Sequence, residues 1–360
     1  KQWTRLLGTY GTENGYGVSV DARGNVYVTG EANGSIGNEW YEGASDFFVA
    51  QYSPQGAFQW ARMLGTNVND SGKGVALDNN GLVYVAGNTA GSLADNTSAG
   101  GQDLFLAKYD TSWSWIRQTG TTGTDRGLGV AADNRGHIYI TGKTNSGFDG
   151  AINAGYDDLY VVQYDSTGAR QWARQLGTVW TDDPSGVAAD RNGNVYIAGA
   201  TYGELYGKTN AGMDDMYLVK YDVTGVKQWT RQLGSFSNDV ATAVAVDSEG
   251  NAYVGGHTND DLDGNTSFGS YDFFVTKYTT TGLKKWTNQF GTNGDDKAYG
   301  VAVDGSLNVF VTGVTGTGLD GNLGSGSYDV FLVKYDTAGV KQWTRQLGSA
   351  AMDIGRCIAV

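Results

Sequence analysis

Seven acids stand ten residues after seven regularly placed tryptophans: Glu13, Asp70, Asp125, Asp182, Asp239, Asp296 and Asp353. Carboxylates repeated in this way could converge on a cation, because hard cations take oxygen ligands. The plainer chemistry is local. A short acid in a Gly-rich turn accepts N–H bonds from its own backbone. A second set of acids is confined to a few copies. One stretch reads Asp260-Asp261-Leu262-Asp263-Gly264-Asn265, and another Leu319-Asp320-Gly321-Asn322. Alternating oxygen ligands followed by Gly make Asp261, Asp263, Asn265, Asp320 and Asn322 the candidate ligands of a weak Ca²⁺ site. The full pattern of about twelve residues with a terminal Glu is absent. The corresponding stretches Ile36-Gly37-Asn38 and Leu205-Tyr206-Gly207 lack the acid, so a plain Asx turn is the alternative.

Aromatic residues gather in the same loops: Trp40, Tyr41, Tyr156, Tyr202, Tyr206, Tyr271 and Tyr328. Exposed aromatics beside Asn and Asp suit the faces and hydroxyls of a glycan, or a protein partner. Packing between neighbouring repeats is the other use for them. Catalytic chemistry has little to draw on. The two histidines, His137 and His257, lie far apart in the chain, and there is one cysteine, Cys357. No nucleophile elbow or phosphate loop is present in a strand–helix setting. Lys and Arg are interleaved with acids and form no basic patch.

Composition narrows the class further. Of 360 residues, 56 are Gly and 2 are Pro, without the three-residue period of collagen. With 40% hydrophobic and 12% aromatic residues the chain can build a core. The net charge of −13 repels nucleic acid and anionic membranes. No apolar run is long enough for a spanning helix, so membrane insertion is not expected.

The elements that must position these residues repeat. Trp3, Trp60, Trp115, Trp172, Trp229, Trp286 and Trp343 recur about every 57 residues, with one shorter interval where the turn before Trp115 is trimmed. Asp21, Asp78, Asp133, Asp190, Asp247 and Asp304 keep the same ruler, as do Asp46, Asp103, Asp158, Asp215, Asp272 and Asp329. Each unit reads as four short strands, exemplified by Gly300–Asp304, Val195–Gly199, Asp329–Tyr335 and Lys341–Leu347. No helical period is sustained, so helices should be scarce. Four strands per repeat, six times over, predict an all-β propeller of four-stranded antiparallel blades in one domain, residues 1–360. The small Gly-Val-Ala-Val strand belongs innermost and the Trp strand outermost. The chain opens on an outer strand, Lys1 to Leu7, and closes on the start of an inner one, Cys357 to Val360. Six complete blades with a split or incomplete seventh are therefore expected, with chain–chain pairing or a longer chain filling the gap. A closed six-bladed ring is the alternative.

The recurring motifs Gly-Val-Ala-Val-Asp, Gly-Asn-Val-Tyr-Val-Thr-Gly, Asp-x-Phe-Leu-Val-Lys-Tyr-Asp and Lys-Gln-Trp-Thr-Arg-Gln-Leu-Gly resemble the SBBP β-propeller repeats of bacteria. That resemblance implies seven blades, a secreted or cell-surface location and a scaffold role without an assigned reaction. The expected function is a non-catalytic binding or scaffold module outside the cytoplasm. It recognises a glycan or protein partner through its variable loops, with Ca²⁺ as the one candidate cofactor. The alternative is a propeller lyase or hydrolase acting at the central channel. Such an enzyme should break the repeat with unique residues near the axis, whereas the axial residues read as repeated almost unchanged.

Overall fold

The computed structural model describes residues 2–360. Twenty-four strands and one short 3₁₀ turn, Leu205–Gly207, are present among them. The strands make six four-stranded antiparallel sheets, each a simple meander. The first sheet runs Glu13–Val20, Val26–Ala32, Asp46–Tyr52 and Phe58–Leu64. The other five open with Asp70–Leu77, Asp125–Ala132, Asp182–Ala189, Asp239–Val246 and Asp296–Val303. The chain divides between Leu176 and Gly177 into two compact units, with three sheets in each.

Strand chemistry explains this order. Asp21 follows the first strand, and its Oδ1 accepts the N–H groups of Arg23 and Asn25 at 2.9 and 2.8 Å. Gly24 supplies the left-handed residue of that turn, with φ 82°. The first strands start earlier than their Gly-Val-Ala-Val runs. Asp296 already pairs with Thr315, and a bulge between Ala298 and Gly300 carries the ladder onward.

Within each unit the first strands of successive sheets lie side by side. A Cβ on Gly17 would meet the Cα of Gly74 at 3.1 Å, and one on Gly186 the Cα of Ala243 at 3.2 Å. Only small residues allow that approach, so the Gly/Ala strands occupy the crowded side. The fourth strands have more room. Trp60 packs on Tyr109 of the next sheet with ring centroids 4.9 Å apart. Buried side chains of the second and third strands supply the core, including Tyr84, Leu106 and Tyr160 in the first unit and Phe273, Val311 and Phe331 in the second. Where the turn is trimmed, Thr111 takes φ 54° and Trp113 closes on Tyr109 and Phe47.

No seventh four-stranded sheet is present among the described residues. Two segments nonetheless occupy strand positions. A Cβ on Gly300 would lie 3.1 Å from the Cα of Cys357, as Gly17 lies to Gly74, so residues 354–360 run beside the last first strand. At the other end, Trp3 Nε1 donates to Pro54 O at 2.9 Å and Arg5 Nε to Gly56 O at 2.6 Å. The fourth-strand residues Trp229 and Arg231 make the same bonds to Thr280 and Gly282. Neither segment is paired into a sheet.

Candidate functional site

The long loops and the starts of the first strands share one edge of every sheet. The repeated acids there are framework. Asp70, Asp125, Asp182, Asp239 and Asp296 are fully buried. Each turns back on its own loop: Asp125 Oδ2 accepts from Thr121 N and Oγ1 at 2.6 and 2.8 Å. Asp182 also takes the Thr201 hydroxyl at 2.5 Å. The acids that open the third strands are equally occupied. Asp103 Oδ2 accepts Ala99 N at 2.8 Å and Gln118 Nε2 at 2.7 Å, while Gln118 Oε1 accepts the N–H of the buried Leu93. This clamp closes the long loop in five sheets. In the first sheet Met63 replaces the Gln and its sulfur takes Ile36 N at 3.2 Å.

The candidate Ca²⁺ ligands have other partners. Asp263 and Asp320 are left-handed turn residues, each with φ 56°, followed by Gly264 and Gly321. Their carboxylates pair with Lys284 and Lys341, the latter at 2.9 Å. Asn265 and Asn322 donate Nδ2 to Leu262 O and Leu319 O, and Asp261 Oδ1 accepts Ser267 N. The geometry is that of Asp-Gly turns. No group of three acids, histidines or cysteines placed to hold a metal ion occurs among the described residues.

The aromatic candidates divide. Trp40, Tyr41, Tyr156, Tyr202 and Tyr206 are exposed, Trp40 at 88% and Tyr156 at 68%. Trp180, outside the repeat ruler, forms an edge-to-face pair with Tyr202 at 5.5 Å. Lys227 lies over the Tyr206 ring, and burial pulls its amine down to about 8. Tyr271 and Tyr328 are half-buried and belong to a different cluster.

That cluster corrects the expectation of unvaried axial residues. The buried acid repeats, but its neighbours do not. The residue after it is Asn14, Ser71, Arg126, Asp183, Val240 or Lys297, and the one two further on is Tyr16, Lys73, Leu128, Ser185, Thr242 or Tyr299. The second-strand positions beside them carry Glu31, Asn88, Lys143, Ala200, His257 and Val314. In the first unit these side chains satisfy one another. Tyr16 Oη donates to Glu31 at 2.7 Å, Lys73 stands 3.6 Å over the Tyr16 ring, and Lys143 pairs with Asp157 at 2.9 Å.

In the second unit, Lys297 Nζ lies 3.8 Å from the Tyr271 ring centroid and 3.6 Å from Asp295 Oδ2. Tyr328 Oη donates to Asp295 at 3.0 Å. Burial raises the Asp295 carboxyl, but hydrogen bonds from Ser270 and Tyr328 and the Lys297 charge outweigh it, leaving the group below its ordinary value. His257 packs edge-on to Tyr271, and its Nδ1 is buried without a hydrogen-bond partner. Burial first, and the Lys297 charge second, push His257 down to about 4, so it is neutral at pH 7. Tyr271 and Tyr328 were among the aromatic candidates of the sequence, whereas Asp295 and Lys297 were not; positions in the register that do not repeat were the available signal. His137, by contrast, is a turn residue: its Nδ1 meets Asp133 at 2.7 Å, where other copies use Asn.

Comparison with known proteins agrees with the repeat. The SBBP beta-propeller repeat family matches residues 2–38, 59–94, 114–149, 171–207, 228–263 and 285–320. A 240-residue stretch is 32% identical to the regulatory protein FlaEY of Caulobacter vibrioides, covering 62% of this chain and 24% of that protein. An uncharacterised WD repeat-containing protein, L264, of Acanthamoeba polyphaga mimivirus is 23% identical over 86% of this chain and 30% of its own length. The chain thus spans less than a third of each of these relatives. Among solved structures, an ulvan lyase, a polysaccharide lyase, superposes with TM-score 0.55 at 13% identity, covering 96% of this chain and 88% of that one. Sqt1 of Chaetomium thermophilum does so with TM-score 0.51 at 11% identity, covering 96% and 74%. Likeness at these identities concerns the fold alone. With six copies of one motif, each folded as a four-stranded antiparallel meander, the chain belongs to the SBBP beta-propeller repeat family.

Proposed function

We propose that the protein is a non-catalytic binding module that recognises a glycan through the sheet edges bearing the long loops. One observation carries this reading: Trp40, Tyr41, Tyr156, Trp180, Tyr202 and Tyr206 stand exposed on those edges. Rigid aromatic faces give large contact area at little cost in side-chain entropy. Such a module works outside the cytoplasm, where glycans are met. Ca²⁺, if used, has to displace Lys284 from Asp263 and Lys341 from Asp320. A glycan array with and without millimolar Ca²⁺ tests the reading. Binding should fall about tenfold in each of Trp40→Ala, Tyr156→Ala and Trp180→Ala. A protein partner captured with no glycan bound, or unchanged binding by all three variants, would sink it.

Catalysis is the second reading, favoured by the unrepeated His257, Tyr271, Asp295, Lys297 and Tyr328. New reducing ends released from bound polysaccharide would establish it.

We further propose that residues 354–360 act as an inner strand beside Asp296–Val303 in the second unit, and that residues 2–7 take the place of a fourth strand against the Pro54 turn in the first. The packing of Cys357 on Gly300 and of Trp3 on the Pro54 turn supports this. Hydrogen exchange should find the amides of residues 357–360 labile in this chain alone. Protection equal to that of Asp296–Val303 would refute an open edge.

A further inference from the structure

In four sheets a side chain of the long loop bridges to the start of the fourth strand. Asp149 pairs with Arg170 at 2.7 Å, Asp320 with Lys341 at 2.9 Å and Asp263 with Lys284, while Lys227 lies over the Tyr206 ring. The loop residue is left-handed each time, with φ of 53–56°. In the first sheet Gly37 and Phe58 meet instead, a Cβ on Gly37 falling 3.9 Å from Phe58 Cζ. The second sheet keeps the turn and drops the bridge. Ala94, with φ 51°, stands at the loop position, and Trp113, paired with Tyr109 as Lys284 is with Tyr278, stands on the strand. There, within the first unit, lies a cavity of about 550 Å³ whose lining includes Leu64, Asp95, Asn96, Trp113, Ser114 and Ile116. We propose that this cavity binds a short stretch of a neutral glycan, an inference that rests on the glycan-binding reading and adds to it a site and a ligand class. The volume falls within the roughly 300–1,000 Å³ of small-ligand sites. None of the exposed aromatics Trp40, Tyr41 and Tyr156 lines it.

The walls suit a pyranose. Leu64, Trp113 and Ile116 are half-buried and pack on the core between the first two sheets, which fixes the apolar surface they leave open. Trp113 is held edge-to-face by Phe47 and Tyr109, with ring centroids 5.3 and 5.4 Å away. A rigid aromatic face takes the C–H side of a sugar ring at little cost in side-chain entropy. Asn96 fixes the loop to the strand: its Nδ2 donates to Leu93 O at 2.9 Å, and its Oδ1 accepts Gln118 N at 3.2 Å. Sugar hydroxyls find two open groups. Asp95 and Ser114 are exposed, and neither side chain has a hydrogen-bond or ion-pair partner among the described residues. Charge favours no ionic ligand. The lining carries one acid, Asp95, and one base, Arg117, so neither sign prevails. Arg117 is already engaged, its Nε donating to Gly168 O at 3.0 Å and its guanidinium lying over the Trp115 ring. The net charge of −13 turns polyanions away from the chain as a whole.

Titration calorimetry of the full chain carrying Trp40→Ala, Tyr156→Ala and Trp180→Ala together tests the cavity apart from the edge aromatics. Cellotriose should still bind that chain, at least about tenfold more tightly than trigalacturonate or a glucosamine trimer. Adding Ala94→Asp with Trp113→Lys rebuilds the bridge of the fifth sheet across the cavity and should weaken cellotriose about tenfold. Asp95→Ala, at an exposed position, should weaken it about fivefold. Thermal melts establish that each variant is folded; should Ala94→Asp with Trp113→Lys unfold the chain, Asp95→Ala decides alone. Loss of all cellotriose binding in the chain without the edge aromatics, indifference to both cavity changes, or equal or tighter binding of a charged trimer overturns the neutral-sugar cavity while leaving the wider glycan reading intact. Wild-type protein that binds no saccharide on array or in the calorimeter overturns both.

Discussion

Gly142→Ala should destabilise the first unit by about 3 kcal/mol, seen as a fall in its melting temperature of roughly 6–12 °C. Gly142 lies within the second strand of the third sheet, His137–Thr144, where the pairing with the first strand shifts register between Thr141 and Gly142. A Cβ there would stand 1.9 Å from the carbonyl oxygen of Arg126 and 2.4 Å from Tyr160 Oη. The first obstacle is backbone, which cannot rotate away. The second is a fully buried ring held among Leu104, Ile138 and Val162. Relief requires opening the bulge or moving the core, so this cost lies at the upper end of overpacking by a methyl group, about 1–3 kcal/mol. Gly150→Ala is the internal control for a crowded glycine against a turn glycine. Nothing lies within 4 Å of the Cβ it would gain, and its φ of 81° makes its smaller loss a matter of backbone strain alone. Equal losses in the two variants would refute the steric account.

Stability of the first unit should also fall as pH rises from about 4 to 6, and Met63→Gln should recover part of the loss. Asp46 is 1% exposed and lacks the glutamine that serves Asp103, Asp158, Asp215, Asp272 and Asp329. Burial pushes its carboxyl up to about 6, against the N–H of Glu42; the charges of Asp70 and Glu42 add to the rise. In this window the folded state keeps a proton that the unfolded chain, with a pKa near 3.9, has released. Stability therefore declines through the window, by on the order of 3 kcal/mol for this one group, and is flat above it. A Gln at position 63 would donate to the ionised carboxylate, a bond worth about 1.5–3 kcal/mol before the lost Met63 packing against Ile36 is deducted. Met63→Gln should thus stabilise by about 1 kcal/mol at pH 7 and by less at pH 4. Denaturant melts at the two pH values measure this; a gain that does not depend on pH would contradict the assignment to Asp46.

Much of the architecture was legible in the sequence because it depends on local or repeated chemistry. The third and fourth strands, such as Asp329–Tyr335 and Lys341–Leu347, fall where β-branched and aromatic runs between Asp/Gly turns put them. A framework residue serves the same purpose in every unit, so its spacing declares it: Asp133 and Asp190 build the same turn in their own sheets. The turn reading of Asp263 and Asp320 was likewise available as one of two alternatives, but the lysines that pair with them lie 21 residues away in sequence, on the fourth strands. Only folding brings those charges together.

The grouping around Lys297 was legible only in Tyr271 and Tyr328, which stood among the loop aromatics. Lys297 and Tyr299 stand on a first strand, Tyr328 just before a third, and Met352 and Ile354 beyond the last fourth strand. Nothing local couples them. They meet because a parallel bridge joins Tyr328 to Met352, and because the chain turns the side chains at the sheet edge toward one another. The sequence by itself determined the six meanders, their turns and their small-to-large gradient, since short-range hydrogen bonding and side-chain size suffice for these. The tertiary structure decided which unrepeated residues share a site, because that depends on contacts between strands far apart in the chain.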